Sequence, residues 1–379
     1  MRKTIFFNSY DLFVNPNPLY YDRCNKLPGG HAMRGYFQLF SNNISVHDRT
    51  GTFTTPIKTD MMDHLKMPEF REFNRPFGEL IDERAIELMN QVKASGKKLA
   101  VMYSGGIDST AIVCSLLKNC SEKDIKENVI VLLSDHSILE NQNFYNNYVS
   151  KKFECVSSFR FPYFVGNDNF LLISGECADQ CFGSQVTGKF TSYRPYSFLF
   201  EKVDNVADEV IAWMTGRLQD EYKQYAPKYF AMFKKLCDAA PIPIDTLYKF
   251  LWWINFTNKW QSVYVRVLPY SKNIPNIKIL ENYTTFYCPE QFQLWAMNNT
   301  DRLVRDTEES VKYIIKDYIL DFNGDKEYYK KPKVGSLTNL VKQKEIVMFL
   351  NDDMTYTKEF PTPDSEYINQ NNTFAEMMQ

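Results

Sequence analysis

Two glycines flanked by serines and followed by an aspartate form the part of this sequence best suited to chemistry. Residues 104–109 read Ser-Gly-Gly-Ile-Asp-Ser. The N–H groups of a glycine-rich turn can approach an anion closely, because glycine has no side chain to hold it away. An acid beside such a turn is out of place in a pure anion cradle and usually indicates a divalent cation that bridges it to phosphate. The spacing therefore predicts a phosphate site with a cation at Asp108.

The elements on either side of this turn are typical of a strand and a buried helix. Leu99 to Tyr103 is an apolar run of strand length, and the residues from Asp108 to Leu116 suit a helix packed against a sheet. In such a unit, free N–H groups and the helix dipole both favour an anion at the turn. The motif is neither the Walker type nor the dinucleotide-binding type. The alternative is a chance Gly-Gly turn in an α/β protein.

A second apolar strand ends in a similar polar segment. Residues 169–173 are followed by Ser174, Gly175 and Glu176, and Asp179 lies in the next turn. Ligands bind at the carboxyl ends of strands in open parallel sheets, so this loop and the loop at 104–106 are expected to converge on one pocket. The alternative is a set of acids that only stabilise a helix N-terminus.

Together the two segments resemble the motifs of a known enzyme superfamily. Ser-Gly-Gly-x-Asp-Ser after a strand is similar to the pyrophosphate-binding loop (PP-loop) of the N-type ATP pyrophosphatases, which cleave ATP between the α and β phosphates. Residues 174–183 resemble the Ser-Gly-Glu-Gly-x-Asp-Glu-x-Phe-Gly-Gly motif of the asparagine synthetase family, which includes the β-lactam and carbapenam synthetases. The resemblance implies that family's C-terminal synthetase domain, on a HUP-like parallel-sheet nucleotide-binding fold.

The resemblance also implies roles for individual residues. By it, Asp108 and Asp179 hold Mg²⁺, and Glu176 orients or deprotonates the attacking amine. The residues implied to bind ATP are Ser104, Gly105, Gly106, Asp108, Ser109, Leu133, Ser174 and Gly175. Cys177 and Gln180 stand where the family has Gly and Glu, and the second change alters the charge expected around the metal.

A catalytic cation is expected in a lysine-rich segment further along the chain. Residues 329–336 read Tyr-Lys-Lys-Pro-Lys-Val-Gly-Ser, at the point where family members place a catalytic lysine in a loop. A cation there would stabilise the negative charge that develops on the departing pyrophosphate. We assign this role to Lys331, with Lys330 and Lys333 as alternatives. The other interpretation is a solvated lysine-rich loop.

The positions of the motifs predict three consecutive segments. Residues 1–78 are expected to form a small β-rich cap, a possible remnant of a glutaminase domain, residues 79–350 the ATP pyrophosphatase domain with a helical C-terminal half, and residues 351–379 a mobile acidic tail. Within the cap, 35–40 and 43–51 are predicted to be short β segments. Residue 2 is Arg, where glutamine-dependent members have a nucleophilic cysteine, so glutamine hydrolysis is not expected.

Composition narrows the functional class. Lys and Arg number 44 against 46 Asp and Glu, so no basic field suggests nucleic acid. No run approaches the ~20 apolar residues of a membrane span, and the N-terminus is too polar for a secretory signal. The eight cysteines include no Cys-x-x-Cys pair, and buried reduced thiols are typical of a cytoplasmic protein.

These observations predict an Mg²⁺-dependent, AMP-forming ATP ligase. It would adenylate a carboxylate or amide oxygen of a small molecule and then transfer an amine or ammonia, which is supplied free or by a separate glutaminase. An enzyme that modifies a nucleobase in tRNA or DNA would use the same adenylation chemistry and stays open, although the charge balance does not favour it. A non-catalytic nucleotide-binding protein is the remaining alternative.

Overall fold

The chain divides into two compact units. The terminal unit comprises residues 1–69, 183–269 and 345–379, and the sheet unit comprises 70–182 and 270–344. The computed structural model describes residues 5–6, 18–41, 45–58, 61–184, 190–191, 194–267, 277–305, 311–331, 349–350, 356–357 and 362–379. The units interleave along the chain, whereas the expected domains at 1–78, 79–350 and 351–379 are consecutive. The expected boundaries refer to family domains, whereas the two units are defined by compactness. The expected boundaries therefore stay a prediction.

The described strands form one parallel and one antiparallel sheet. They are β1 (Ile5–Phe6), β2 (Lys98–Met102), β3 (Val129–Leu133), β4 (Glu154–Ser157), β5 (Phe170–Ser174), β6 (Tyr283–Thr285), β7 (Phe349–Leu350) and β8 (Tyr356–Thr357). In the sheet unit, five parallel strands lie in the order β4-β3-β2-β5-β6. In the terminal unit, β1, β7 and β8 form a small antiparallel sheet in the order β1-β7-β8. The predicted α/β class with a parallel sheet is confirmed.

The parallel sheet forms because its central strands are apolar on both faces. All five residues of β3 are buried, and Leu99, Ala100 and Val101 of β2 are fully buried. Continuous apolar runs of this kind are typical of parallel strands covered by helices on both sides. Ala100 pairs with Ile130 of β3 and Leu172 of β5, which fixes the register at the centre. The three predicted strands at 99–103, 128–133 and 169–173 are confirmed within one residue at each end.

The other named elements of the described residues are helical. Those of eight residues or more are α1 (Pro18–Asn25), α2 (Gly30–Leu39), α3 (Phe77–Ser95), α4 (Ile107–Asn119), α5 (Ala207–Arg217), α6 (Ala226–Asp238), α7 (Leu247–Asn258), α8 (Glu290–Asn298) and α9 (Tyr313–Asn323). Shorter α-helical segments are Glu122–Asn128, Asp135–Glu140, Gln142–Phe144, Ser150–Lys152, Phe161–Phe164, Ala178–Phe182, Trp260–Val265, Lys326–Lys330 and Thr373–Met377. Among the described residues, no helix combines the length and apolar character needed to cross a membrane.

The predicted β segments near the N-terminus are wrong where the structure describes them. Gly35 to Leu39 lies in α2, and residues 45–51 contain no strand. The buried residues of α2 include Ala32, Met33, Tyr36 and Phe37, which recur with helical spacing. At Gly35 a Cβ would lie 2.4 Å from the Tyr229 hydroxyl, so glycine allows the helix to pack closely there. The six residues 35–40 are too few to show this helical periodicity, because the helix begins at Gly30.

The last described residues make specific contacts with the rest of the terminal unit, while the predicted mobility of the tail stays a prediction. Ile368 forms an antiparallel bridge with Ile57, and the N–H groups of Lys58 and Asn369 donate to the carbonyls of Tyr367 and Pro56. Phe374 is fully buried. The acidic and polar composition of this segment hides these few anchoring residues, which is why the sequence predicts a mobile tail. Residues 351–355 and 358–361 of the expected tail lie outside the described part of the chain.

Candidate functional site

The two predicted loops lie at the point where the strand order reverses. From β2 the chain continues to β3 and β4 on one side of the sheet, while β5 lies on the other side of β2 and leads to β6. In open parallel sheets, the crevice at such a switch point is where ligands bind. The loop after β2 carries Ser104–Gly106 and the loop after β5 carries Gly175–Glu176. The fold therefore brings both candidate loops to the place where a ligand is expected.

The loop after β2 requires glycine at position 105. Gly105 has φ +74°, and a Cβ there would lie 2.2 Å from the carbonyl oxygen of Ser137. Its own carbonyl accepts hydrogen bonds from the hydroxyls of Tyr328 at 2.8 Å and Thr110 at 3.1 Å. Both the backbone conformation and the close neighbour exclude a side chain at this turn.

Serine hydroxyls bind the N–H groups of the same loop. The N–H of Ser104 donates to Ser109 Oγ at 3.1 Å, and the N–H of Gly106 donates to Ser104 Oγ at 3.3 Å. The two hydroxyl oxygens are themselves 3.1 Å apart. α4 begins directly after Gly106, so its N-terminal dipole also points towards this turn. In this structure these N–H groups donate within the loop, so a phosphate oxygen would have to replace the serine hydroxyls as their acceptors.

The loop after β5 contacts the start of α4. A Cβ on Gly175 would lie 3.0 Å from Asp108 Cβ and 3.4 Å from the Ser109 nitrogen. Ser174, at the end of β5, is buried, and its hydroxyl lies 2.9 Å from that of Tyr283. Glycine at 175 therefore permits the close approach that brings the two loops together.

Lys312 lies between the two residues implied as metal ligands. Its Nζ is 2.6 and 2.8 Å from the two carboxylate oxygens of Asp108 and 2.5 Å from Oδ1 of Asp179. The Lys312 side chain is 6% exposed, whereas those of Asp108 and Asp179 are 27% and 43% exposed. The structure thus brings both acids together around one buried ammonium.

The charges around Lys312 keep it protonated. Burial by itself lowers the pKa of the Lys312 ammonium, but the charges and hydrogen bonds of Asp108 and Asp179 outweigh this, so its pKa is raised above the ordinary value. The hydroxyl of the buried Tyr287 donates to the Asp108 carbonyl at 3.0 Å and supports the start of α4. Burial, together with the Asp108 charge, raises the pKa of Tyr287, so this hydroxyl remains a donor.

The Asp108–Asp179 pair has the donor chemistry that Mg²⁺ uses with nucleotides. Within the described ranges, no group of three or more His, Cys, Asp or Glu side chains is placed to hold a metal ion. Mg²⁺ at nucleotide sites is usually bound by only one or two carboxylates, with phosphate oxygens completing its shell. Since both carboxylates already meet at one cation, they fit a Mg²⁺ ion that arrives with phosphates.

The other residues implied by the resemblance line the same edge of the sheet. Leu133 ends β3, and Ser134 caps the helix Asp135–Glu140 that follows it. Glu176 is partly exposed in the loop after β5, and its N–H donates to Ser174 Oγ at 3.4 Å. Glu176 therefore lies one residue from the Gly175–Asp108 contact, while Leu133 lies on the opposite side of β2 from that loop.

Two residues that differ from the motif this sequence resembles lie in contrasting local environments. Cys177, which stands where the family has Gly, has φ +70°, in the left-handed region that favours glycine. Gln180, which stands where the family has Glu, is fully buried. A carboxylate buried to that extent would be costly to keep charged, so a neutral amide suits the position.

Lys331 makes a contact that the sequence does not predict. Its Nζ donates to the carbonyls of Leu139 and Glu140 at 2.8 and 3.0 Å, at the C-terminus of the helix Asp135–Glu140. A cation is favourable at that end of a helix. The structure does not bring Lys331 to the Asp108–Asp179 pair. Lys333 lies outside the described residues.

No sequence pattern identifies Lys312 as a residue of the site. It carries no motif and directly precedes α9, in a segment that reads Val-Lys-Tyr-Ile-Ile. The one available signal is a lone lysine in an apolar run, because such a residue needs a charged partner when it is buried. That signal cannot identify the partners, which lie over 130 residues away in the chain.

A cavity of about 440 Å³ lies beside Phe77, which packs against the Tyr287 that bonds to Asp108. Its apolar wall includes Phe77, Trp295 and Tyr313, and its polar wall includes Arg75 and Arg302. The Phe77 ring is parallel to that of Tyr287 at 6.4 Å, and Tyr287 bonds to Asp108. A space large enough for a small molecule is therefore separated from the Asp108 backbone by two buried side chains, those of Phe77 and Tyr287.

No family model matches this chain, and no curated protein matches its sequence.

Proposed function

We propose that this chain is an Mg²⁺-dependent, AMP-forming ATP ligase of the asparagine synthetase type, with the PP-loop, HUP-like fold of the N-type ATP pyrophosphatases. One observation carries the proposal: two strand-terminal loops converge at the switch point of the sheet, and their acids Asp108 and Asp179 share a cation. The strand order β4-β3-β2-β5-β6 supports a nucleotide-binding fold, because β2 and β5 flank the reversal.

The proposed reaction has two steps. A carboxylate or amide oxygen of the substrate attacks the α phosphorus of ATP, and pyrophosphate leaves. An amine or ammonia, free or delivered by a separate glutaminase, then displaces AMP from the activated carbon and loses a proton. Mg²⁺ would neutralise phosphate charge when bound to Asp108 and Asp179.

The protein's own groups mainly position and neutralise the reactants. The N–H groups of Ser104 and Gly106 would exchange their serine acceptors for oxygens of the β and γ phosphates, and the hydroxyls of Ser104 and Ser109 would bind the same phosphates. Glu176, beside Gly175, would orient the amine and accept its proton. Lys331 is proposed to stabilise the departing pyrophosphate; in this structure its ammonium is bound to carbonyl oxygens, so it would have to leave them.

ATP labelled at the α phosphate tests the reaction. Purified protein with Mg²⁺ and pools of carboxylic acids, amino acids, ammonia or nucleic acid should release labelled AMP with a carboxylate or amide pool. Asp108→Asn should lower this rate about a hundredfold or more, because it removes a carboxylate that binds the cation. Asp124→Asn, which changes an aspartate in the surface ion pair with Lys93, is the matched control and should leave the rate unchanged.

The other products separate the competing functions. AMP released only with RNA or DNA would indicate the nucleobase-modifying enzyme, and tight ATP binding without turnover would indicate a non-catalytic nucleotide-binding protein. Labelled ADP would contradict adenylation. Normal turnover in Lys331→Met would contradict the role proposed for Lys331.

A further inference from the structure

Lys312 takes the position that a divalent cation between Asp108 and Asp179 would need. Both oxygens of Asp108 and Oδ1 of Asp179 accept hydrogen bonds from its Nζ at 2.5–2.8 Å. A divalent ion bound to the same oxygens would lie within ~4 Å of the ammonium, where like charges repel strongly. The two cations therefore compete for the same carboxylate oxygens.

The position of Lys312 in the chain allows its side chain to leave both carboxylates. Lys312 is the residue before α9, outside the helix, and its side chain has four rotatable bonds, so it can withdraw without unwinding α9.

We propose that the Lys312 ammonium and a divalent cation are alternative occupants of the Asp108–Asp179 pair, so that the cation binds only when Lys312 leaves both carboxylates. The proposal rests on the proposed function only in taking Mg²⁺ as the ion that the protein normally binds. In the ligand-free protein, the Lys312 ammonium would then be the cation that neutralises Asp108 and Asp179 and stabilises the site.

Two properties of the pair favour such an exchange. The carboxylates of Asp108 and Asp179 are 27% and 43% exposed, so an ion from solvent can reach them although Lys312 is enclosed. Two carboxylates carry too little charge to hold an ammonium and a divalent ion together, whereas phosphates would add the missing negative charge. We therefore expect weak binding of the free ion and stronger binding when it arrives with a nucleotide.

Mn²⁺ binding in the absence of nucleotide tests the competition. Free Mn²⁺, measured by electron paramagnetic resonance during titration, should bind Lys312→Met at least about tenfold more tightly than the wild type. Lys118→Met removes an ammonium from another lysine–aspartate pair in the same unit and should bind Mn²⁺ like the wild type. The double variant with Lys312→Met and Asp108→Asn should lose the gain. Equal Mn²⁺ affinity in Lys312→Met and wild type would overturn the proposal.

Lysine acetylation of the wild-type protein tests the exchange without any substitution. Lys312 should react slowly with acetic anhydride in the metal-free protein and faster with saturating Mn²⁺, as read by mass spectrometry. Lys118, an exposed reference, should react equally in both states. Unchanged protection of Lys312 in the Mn²⁺-bound protein would overturn the proposal.

Neither readout depends on turnover, so the two proposals fail separately. Exchange of Lys312 by Mn²⁺ without AMP formation from ATP would leave this inference standing and reject the ligase. AMP formation without such an exchange would support the ligase and reject this inference.

Discussion

Cys177 adopts a backbone conformation that residues with a side chain rarely take. Its φ of +70° lies in the left-handed region, where a non-glycine residue is strained by about 1–2 kcal/mol. Burial raises the pKa of its thiol well above the ordinary value, and the nearby Cys288 acts in the same direction, so the thiol is a poor nucleophile. The position matters because it lies between Glu176 and the short helix that carries Asp179.

Substitutions at Cys177 should reveal this strain. Cys177→Gly and Cys177→Ala both remove the thiol, but only glycine accepts a positive φ without strain. We expect the glycine variant to be more stable than the alanine variant by about 1 kcal/mol in urea unfolding. At Cys114, in the middle of α4, the same pair should rank the other way by about 1 kcal/mol. Equal stability of the two Cys177 variants would contradict the strain.

At the scale of an element, the helix Thr373–Met377 depends on tertiary contacts. Five residues are too few for a helix that is stable alone. The Asn372 side chain accepts a hydrogen bond from the Ala375 N–H at 3.1 Å and caps its start. The buried Phe374 ring lies 5.5 Å from that of Tyr36 and 6.0 Å from that of Phe53. One aromatic anchor therefore holds a segment of otherwise polar composition.

Truncation of this anchor should destabilise the terminal unit. Phe374→Ala should lower the free energy of unfolding by about 3 kcal/mol, since it removes a fully buried aromatic ring. Phe200→Ala is the matched control in the same unit; its ring is 41% exposed, and the expected change is about 0.5 kcal/mol or less. Urea unfolding measures both, and similar values for the two variants would show that Phe374 does not anchor the helix.

At the scale of the whole molecule, stability should depend on the partly buried His47. Burial lowers the pKa of its imidazole from 6.5 to about 4, and the Arg49 charge acts in the same direction. The unfolded chain takes up this proton below about pH 6.5, but the folded protein does so only near pH 4. The unfolded state thus binds more protons between these values, and the folded protein loses stability as the pH falls through this range.

The unfolding free energy should therefore fall by up to about 3 kcal/mol between pH 6.5 and 4 because of His47. His47→Gln should remove this part of the pH dependence. Burial raises the pKa of the adjacent Asp48, and this raised pKa makes the folded protein more stable as the pH falls towards 4, opposite to the effect of His47. The informative quantity is therefore the unfolding free energy of the wild type minus that of His47→Gln at each pH. His136→Gln, at an exposed position, should keep the wild-type dependence. A difference between wild type and His47→Gln that does not change with pH would contradict the role of His47.

Local patterns determined the parallel sheet and the loops at its edge. An apolar run such as Val129–Leu133 predicts a buried strand, because few other environments cover all its side chains. Glycines 105 and 106 predict the turn, because a tight backbone approach needs residues without side chains. The sequence also predicted that Asp108 and Asp179 would meet, since the carboxyl ends of neighbouring parallel strands share one edge of the sheet.

Tertiary structure alone decided which charges pair and which short segments are packed. Lys312 is 204 residues from Asp108, and no local pattern specifies an ion pair across that separation. Lys331 bonds to Leu139 and Glu140 because the fold brings a helix C-terminus to it. Sequence patterns record which surfaces are apolar and where the backbone can turn. Packing selects partners that are distant in the chain: it places carboxylates beside the buried Lys312, which needs an opposite charge, and carbonyl oxygens beside the exposed Lys331.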